Sequence, residues 1–134
     1  MADKHWTTTQ LEAFKSLDDF HVAPFHEDMK TTGTPTYIWS VVVDDGLYIR
    51  AGYGQKSRWF AAAKQQQAGK IELGGQTYTV NFRWIPETDD ETLMTNIDQA
   101  YQDKYGAKDQ TSTNIMIAKE PDGPRTTTVQ ILPA

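Results

Sequence analysis

Two consecutive β-hairpins constrain the fold of this chain more than any other feature of its sequence. The first has two apolar segments rich in β-forming residues, 37–43 and 47–51, on either side of Asp44, Asp45 and Gly46. An Asp-Gly pair between two such segments is typical of a tight hairpin turn. Because nearly every residue of 37–43 is apolar, we expect a central strand that is buried on both faces.

The second hairpin joins residues 70–73 to residues 76–84 across Gly74 and Gly75. Alternate side chains of a strand point to opposite faces, so the aromatic and apolar residues at positions 78, 80, 82 and 84 predict one buried face. A short helix over residues 58–67 is predicted between the two hairpins. Ser57 is its expected N-cap and Gly69 its expected C-terminal stop.

Five further elements are predicted from periodicity, capping residues and turn residues. They are a helix over residues 10–17 with a capping box of Thr9 and Glu12, a strand over 20–25, a helix with a capping box of Thr88 and Glu91 that ends at Gly106, and strands over 114–118 and 126–132.

Short strands joined by hairpins, with helices between them, predict an α+β fold. We expect a split β-barrel of about six mostly antiparallel strands with two or three peripheral helices. A ferredoxin-like sandwich is the alternative, and hairpin connections favour the barrel because the sandwich needs long helical crossovers. At 134 residues, the chain is expected to be a single domain over residues 1–134.

Composition excludes several classes of function. The chain has 13 Lys and Arg against 18 Asp and Glu, and this net charge of -5 argues against nucleic-acid or membrane-surface partners. No cysteine is present, so thiol nucleophiles and thiolate metal sites are excluded. His5, His21 and His26 lack metal-ligand spacing, and no metal site is predicted. Residues 1–5 lack the apolar run of a signal peptide, so a cytoplasmic location is expected.

The loop after the first hairpin, residues 52–60, is the candidate site. It combines two glycines with basic and aromatic residues and leads into a helix start, where backbone amides bind anions. It predicts a site for an anionic, ring-bearing small molecule, formed by Arg50, Gly52, Gly54, Lys56, Ser57, Arg58 and Trp59. The alternative is structural: the basic residues are solvated surface charges, Arg50 pairs with Asp44 or Glu72, and Trp59 anchors its helix in the core.

Three segments of the sequence resemble one family. They are residues 38–52, residues 57–63 and residues 69–80, and the tail segments 97–106 and 126–133 fit the same family. The chain resembles an uncharacterised bacterial family, a domain of unknown function related to the flavin-binding split barrels. The resemblance covers almost the whole chain. It implies the split-barrel fold and carries no established activity.

A more distant resemblance is to the deazaflavin-dependent nitroreductases, which share the split barrel. Trp59 and Phe60 stand where those enzymes have a Trp-Tyr pair that opens a helix. The loop 30–35 corresponds to their cofactor-phosphate loop, so the resemblance implies roles for Lys30, Thr31 and Thr32. The chain lacks the arginines of that loop and the His that commonly follows the Trp-Tyr pair.

Two functional hypotheses follow. The first is an oxidoreductase-like protein that binds FMN or a deazaflavin between the loops 30–35 and 52–59. The second is a cofactor-free split barrel that binds a small molecule or has a structural role without catalysis, and the missing arginines and histidine favour it. A third, weaker alternative is a protein–protein adaptor that uses exposed aromatic residues. By analogy with other split barrels, the chain is expected to be a monomer or a homodimer.

Overall fold

The computed structural model describes residues 5–134. The expectation that residues 1–5 lack the apolar run of a signal peptide falls almost wholly on residues 1–4, which lie outside the described part. The helices are α1 (Thr8–Ser16), α2 (Arg58–Gln66), α3 (Glu91–Tyr105) and α4 (Gln110–Ile117), with 3₁₀ turns at Gly54–Lys56 and Pro124–Thr127. The strands are β1 (His21–Pro24), β2 (Thr36–Tyr37), β3 (Ser40–Val43), β4 (Gly46–Ile49), β5 (Ala68–Leu73), β6 (Gln76–Trp84) and β7 (Val129–Pro133).

The seven strands form one sheet in the order β2-β1-β5-β6-β7-β4-β3. All neighbouring pairs are antiparallel. The two edge strands, β2 and β3, are consecutive in the chain and are joined by Ile38 and Trp39 alone. A flat sheet of this size would be about 29 Å wide. Three residue steps reach at most about 11 Å, so the connection requires the sheet to curl until its edges meet. This half-barrel confirms the predicted α+β split-barrel class, with seven strands and four α-helices.

Two apolar clusters cover the two faces of the curled sheet. The first contains Leu47 and Ile49 of β4 and packs against α1 and α2. The second contains Tyr48, whose side chain points to the opposite face of the same strand, and packs against α3. The predicted buried face of β6 is confirmed, because residues 78, 80, 82 and 84 all belong to or pack on the first cluster. The strand β6 thus contributes one continuous face to this core.

The prediction of one central strand over residues 37–43 is wrong. The segment divides into β2 and β3, which lie at opposite edges of the sheet. Both faces of β3 are nevertheless covered, because Val42 packs on the first cluster while Val41 and Val43 pack in the second. A run of apolar residues therefore indicates that both faces of a strand are covered. It does not indicate whether the strand is central or lies at an edge of the sheet.

The prediction of a strand over residues 114–118 is also wrong, because these residues belong to or end α4. The helix starts at Asp109, whose carboxylate accepts a hydrogen bond of 2.9 Å from the backbone N–H of Ser112. A short apolar segment does not distinguish a strand from a buried helix, and this N-cap is the signal that decides. The final strand begins at Val129 rather than at residue 126, since residues 124–127 form a 3₁₀ turn.

Helix termini differ from the predicted caps by about two residues, a usual uncertainty. The first helix has its capping box at Thr7 and Gln10, and α3 is capped by Asp90 rather than by Thr88. Helix α2 ends at Gln67 in a left-handed conformation, and Gly69 already belongs to β5. The predicted ends at Ser57 and Gly106 are confirmed.

A buried ion-pair network fixes α3 against the sheet. The Arg50 guanidinium donates to the Asp98 carboxylate at 2.6 Å, and Arg125 donates to the same carboxylate at 3.1 Å. The two arginine side chains are 0% and 2% exposed. Arg125 is also paired with Glu87 and Glu91. The predicted pairing of Arg50 with Asp44 or Glu72 is therefore wrong, and its partner is a helix residue 48 positions away.

Substitution Asp98→Ala is expected to destabilise the fold by about 3 kcal/mol, at the lower end of the range for a broken buried pair because Asp98 retains some solvent contact. Two buried guanidinium groups would lose their common acceptor. Urea unfolding of the purified variant measures the change. The control is Asp103→Ala on the exposed side of the same helix, which is expected to change the free energy of unfolding by less than about 0.5 kcal/mol. Equal effects of the two substitutions would contradict the role of the network.

Lys104 joins three elements through hydrogen bonds rather than through an ion pair. Its Nζ donates to the backbone carbonyl oxygens of Ser40 at 2.8 Å and of Phe14 at 3.3 Å. Among residues 5–134 it has no carboxylate within ion-pair distance. Burial lowers the pKa of Lys104 from its ordinary value of 10.5 to about 8.

This lowered pKa predicts that the protein becomes more stable as the pH rises through about 8 toward about 10. In this window the unfolded chain holds a proton that the folded state has released, so the free energy of unfolding rises with pH. Above about pH 10 the opposite trend is expected, because burial raises the pKa of Tyr101 and Tyr105. Urea unfolding at a series of pH values should show the rise in the unsubstituted chain and in Lys15→Met. If the free energy of unfolding still rises with pH in Lys104→Met, the rise comes from a group other than Lys104.

Candidate functional site

The open side of the half-barrel, where the two sheet edges meet, contains a cleft of about 410 Å³. We call it the split cleft. Its lining comes from four places in the chain, namely the connection between the two edges, the end of β4 with its following loop, the start of α2, and α4. The lining residues are Thr36, Tyr37, Ile38, Trp39, Arg50, Gly52, Tyr53, Ser57, Trp59, Ser112, Ile115 and Met116.

Aromatic side chains dominate the walls of the split cleft. Trp39 is held in place by Tyr105, with the two rings parallel within 2° and their centroids 4.1 Å apart. Trp59 is buried and packs edge-on against Phe60. At the mouth, Tyr53 is 89% exposed. Tyr37 and Ile115 are also exposed, so three of the four exposed large hydrophobic side chains among residues 5–134 lie at this cleft. Aromatic walls with exposed edges favour the binding of a flat ring.

Arg50 forms the polar floor of the split cleft. Its Nε donates to the Thr128 hydroxyl at 2.9 Å and its Nη1 donates to the Met116 carbonyl at 3.1 Å as well as to Asp98. The Nη2 group has longer contacts, to the Met94 carbonyl at 3.4 Å and to the Met94 sulfur at 3.6 Å. The positive charge of Arg50 is therefore neutralised by protein groups, and Nη2 is its least satisfied donor.

The start of α2 presents hydrogen-bonding groups to the cleft. Ser57 is the N-cap residue and is 7% exposed, yet its side chain makes no capping hydrogen bond. Its hydroxyl makes no hydrogen bond within residues 5–134 and keeps some contact with solvent. The first N–H groups of an α-helix have no partner within the helix. An uncapped N-terminus beside a free hydroxyl has the donors that bind a carboxylate or a phosphate.

Four of the ten sequence-predicted residues meet in the split cleft: Arg50, Gly52, Ser57 and Trp59. Lys56 and Arg58 are exposed and do not contribute to the lining. Trp59 belongs to the first core cluster, as the structural alternative predicts, and it also lines the cleft.

The loop 30–35 is organised around a carboxylate of its own. Asp28 accepts hydrogen bonds from the backbone N–H groups of Lys30 and Thr31, both at 2.9 Å, and from the Thr31 hydroxyl at 2.6 Å. These contacts lower the pKa of Asp28 to about 2, the Thr31 hydroxyl being the largest cause. Thr32 lines a separate small cavity beside Lys70. The structure thus places these three predicted residues outside the split cleft.

Sequence reasoning missed the α4 side of the cleft and the aromatic connection between the sheet edges. The sequence predicts a strand over residues 114–118, which include Ile115 and Met116, and it assigns no element to Ser112, so no prediction places these residues near the loop 52–57. The Asp109 cap was the available signal for the helix. Tyr37 and Trp39 were read as parts of a central strand. Tyr37 and Trp39 reach the cleft only because the sheet curls. The curl depends on how distant strands pair, which no local sequence pattern predicts.

Gly54 is required by the close approach of two loops. It has a φ of +65°, and a Cβ atom there would lie 2.2 Å from the carbonyl oxygen of Asp122. The neighbouring Gln55 N–H donates to the same oxygen at 2.9 Å. Gly54 therefore fixes the loop behind Tyr53 without lining the cleft. Gly52 is different, because a Cβ atom there would meet nothing within 4 Å.

In residues 5–134, no group of three or more His, Cys, Asp or Glu side chains is placed to hold a metal ion. No helix in this part of the chain combines the length and apolar character that a membrane crossing requires.

Substitution Gly54→Ala is expected to lower the free energy of unfolding by about 1–3 kcal/mol, because the side chain is strained at a positive φ and collides with a backbone oxygen. The matched control is Gly52→Ala, two positions earlier in the same loop, which adds a methyl group in open space and should change stability by less than about 0.5 kcal/mol. Thermal and urea unfolding of both variants measure the difference. A tolerated Gly54→Ala would show that the contact with the Asp122 loop can relax.

Residues 10–131 match the model of the family DUF2255, described as an uncharacterized protein conserved in bacteria. This match covers most of the chain, so the chain belongs to that family. The predicted membership of an uncharacterised bacterial family is confirmed, whereas the match says nothing about flavin binding. No match is found among curated proteins.

Proposed function

We propose that this member of the DUF2255 family binds a flat, ring-bearing small molecule with an anionic group in the split cleft, and that FMN or a deazaflavin represents the ligand class. One observation carries the proposal: aromatic walls lie beside a helix start that has no side-chain cap, where the solvent-accessible Ser57 hydroxyl makes no hydrogen bond within residues 5–134. The aromatic walls suit a flat ring, and the start of α2 with the Ser57 hydroxyl suits an anionic group.

The size and lining of the split cleft support a ligand of this kind. A volume of about 410 Å³ lies within the range of small-molecule sites. Such sites are mainly apolar, with a few polar groups that orient the ligand. Here the polar lining includes Arg50, Ser57 and Ser112, and Ser57 stands at the start of α2. Tyr53 and Tyr37 at the mouth supply apolar area that a bound ring would remove from water.

The chemistry of the proposed oxidoreductase would come from the cofactor. Among the lining residues, the ionisable side chains are Arg50, Tyr37 and Tyr53, and Arg50 is already paired. A flavin supplies hydride transfer when bound, and this chain would contribute binding, orientation and exclusion of water.

A second candidate is a cofactor-free module that binds a neutral aromatic molecule without catalysis. The observation that favours it is that, among residues 5–134, no unpaired cationic side chain lines the split cleft. Arg50 is neutralised by Asp98, and Lys30, Lys56 and Arg58 do not line the cleft. A dianionic phosphate would then be bound by hydrogen bonds alone, which is weaker than an arginine clamp.

Titration with FMN, riboflavin and a deazaflavin, followed by fluorescence and absorbance, distinguishes the two candidates. FMN carries the phosphate and riboflavin lacks it, while both carry the same ring. The proposal predicts saturable FMN binding that Ser57→Ala weakens about tenfold, with little effect on riboflavin. Ser57→Ala should leave stability unchanged within about 0.5 kcal/mol, since the hydroxyl forms no cap.

The ring site is tested separately by Tyr53→Ala, which removes an exposed aromatic wall and should weaken both ligands several-fold. Met29→Ala is the matched control, because Met29 is also an exposed large hydrophobic residue and lies outside the split cleft. Equal affinity for riboflavin and FMN in all variants would favour the cofactor-free candidate. Failure of all three flavins to bind would reject the flavin proposal.

A further inference from the structure

Three polar side chains form a row across adjacent strands on the face of the sheet that α3 covers. Tyr48 of β4 is paired in register with Gln130 of β7, and Gln130 is paired in register with Arg83 of β6. Directly opposed residues of antiparallel strands share one face, so the three side chains lie side by side. They line a cavity of about 500 Å³ together with Asp89 and Asp90, which precede α3. We call this cavity the polar pocket.

Tyr48 has the position of a ligand-binding group. The residue is 7% exposed, and its hydroxyl makes no hydrogen bond within residues 5–134 while keeping some contact with solvent. Gly46 leaves the space for its ring, because a Cβ atom at that glycine would lie 2.6 Å from the Tyr48 hydroxyl oxygen. Burial raises the pKa of Tyr48, so the group stays protonated and can donate a hydrogen bond. A ligand that enters the polar pocket can therefore accept a hydrogen bond from this hydroxyl in place of water.

Charges of both signs surround the polar pocket without pairing there. Arg83 is exposed and forms no ion pair with any of residues 5–134, although it lines the same cavity as two carboxylates. Asp90 accepts the capping hydrogen bond of α3 from the Leu93 N–H at 3.0 Å through one of its oxygens. Asp89 and the second oxygen of Asp90 remain available. A simple anion would be repelled by these carboxylates, and two carboxylates provide few ligands for a divalent cation.

We propose that the polar pocket binds a free α-amino acid. The ligand carboxylate is recognised by the Arg83 guanidinium and the Tyr48 hydroxyl, and the ligand ammonium is recognised by Asp89 and Asp90. The guanidinium matches a carboxylate in a two-point geometry. Gln130 offers both a donor and an acceptor to the ligand side chain. A zwitterion satisfies both charge types at once, which neither an anion nor a cation does. This site is separate from the split cleft and does not depend on the function proposed there.

NMR titration of the full chain tests the proposal. The backbone amides of Tyr48, Arg83 and Gln130 are followed while each of the twenty protein amino acids is added separately to about 10 mM, which detects millimolar dissociation constants. At least one amino acid is expected to shift these amides saturably. Its C-terminal amide lacks the carboxylate, and its N-acetyl derivative lacks the ammonium. Each derivative is expected to bind at least about tenfold more weakly.

Three variants assign the contacts. Tyr48→Phe removes only the hydroxyl and should weaken binding about fivefold, and Arg83→Gln should weaken it about tenfold. The control with the same loss of charge is Lys70→Gln, an exposed position on β5 outside the polar pocket, and it should leave binding unchanged. Absence of shifts with all twenty amino acids would overturn the proposal. Equal binding of the amide or the N-acetyl derivative would overturn it too, and so would unchanged affinity in Arg83→Gln.

Discussion

The short connection between the two edges of the sheet determines the architecture of this protein. Two residues, Ile38 and Trp39, link the strands at opposite ends of a seven-strand order. Two connecting residues can span only a short distance, so the sheet must curl until β2 and β3 come close together. These two edge strands are not paired with each other, so the barrel stays open between them. The split cleft lies at this opening. Trp39 belongs to the connection and also forms part of the aromatic wall of the cleft. Its ring is held in place by stacking on Tyr105 of α3.

The second constraint is electrostatic and determines the floor of the split cleft. Arg50 and Arg125 are buried and share the Asp98 carboxylate, which places α3 against β4 and against the 3₁₀ turn before β7. Buried charges are tolerated only when they are paired and hydrogen-bonded, so this network admits few alternative arrangements. The same pairing removes the positive charge of Arg50 from the binding chemistry, and it leaves the α2 start as the main source of donors.

The sequence predicted those parts of the site that lie within one short segment. Gly52, Ser57 and Trp59 belong to one loop and one helix start, and turn and cap patterns locate them before any tertiary contact is known. The same reasoning misread α4 as a strand, because a five-residue apolar segment fits either structure. It therefore could not place Ile115 at the cleft.

The sequence by itself determined the hairpins, the α2 and α3 helices and the split-barrel class, because turn residues, caps and periodicity act over a few neighbouring residues. Only the tertiary structure decided that Arg50 pairs with Asp98, a residue 48 positions away, and that residues 37–43 divide between two edges. Such contacts depend on which distant groups the folded chain brings together to satisfy a buried charge or to close a curled sheet. No short sequence pattern predicts such contacts. They become favourable only in the interior of the folded protein, where water no longer competes for the charged groups.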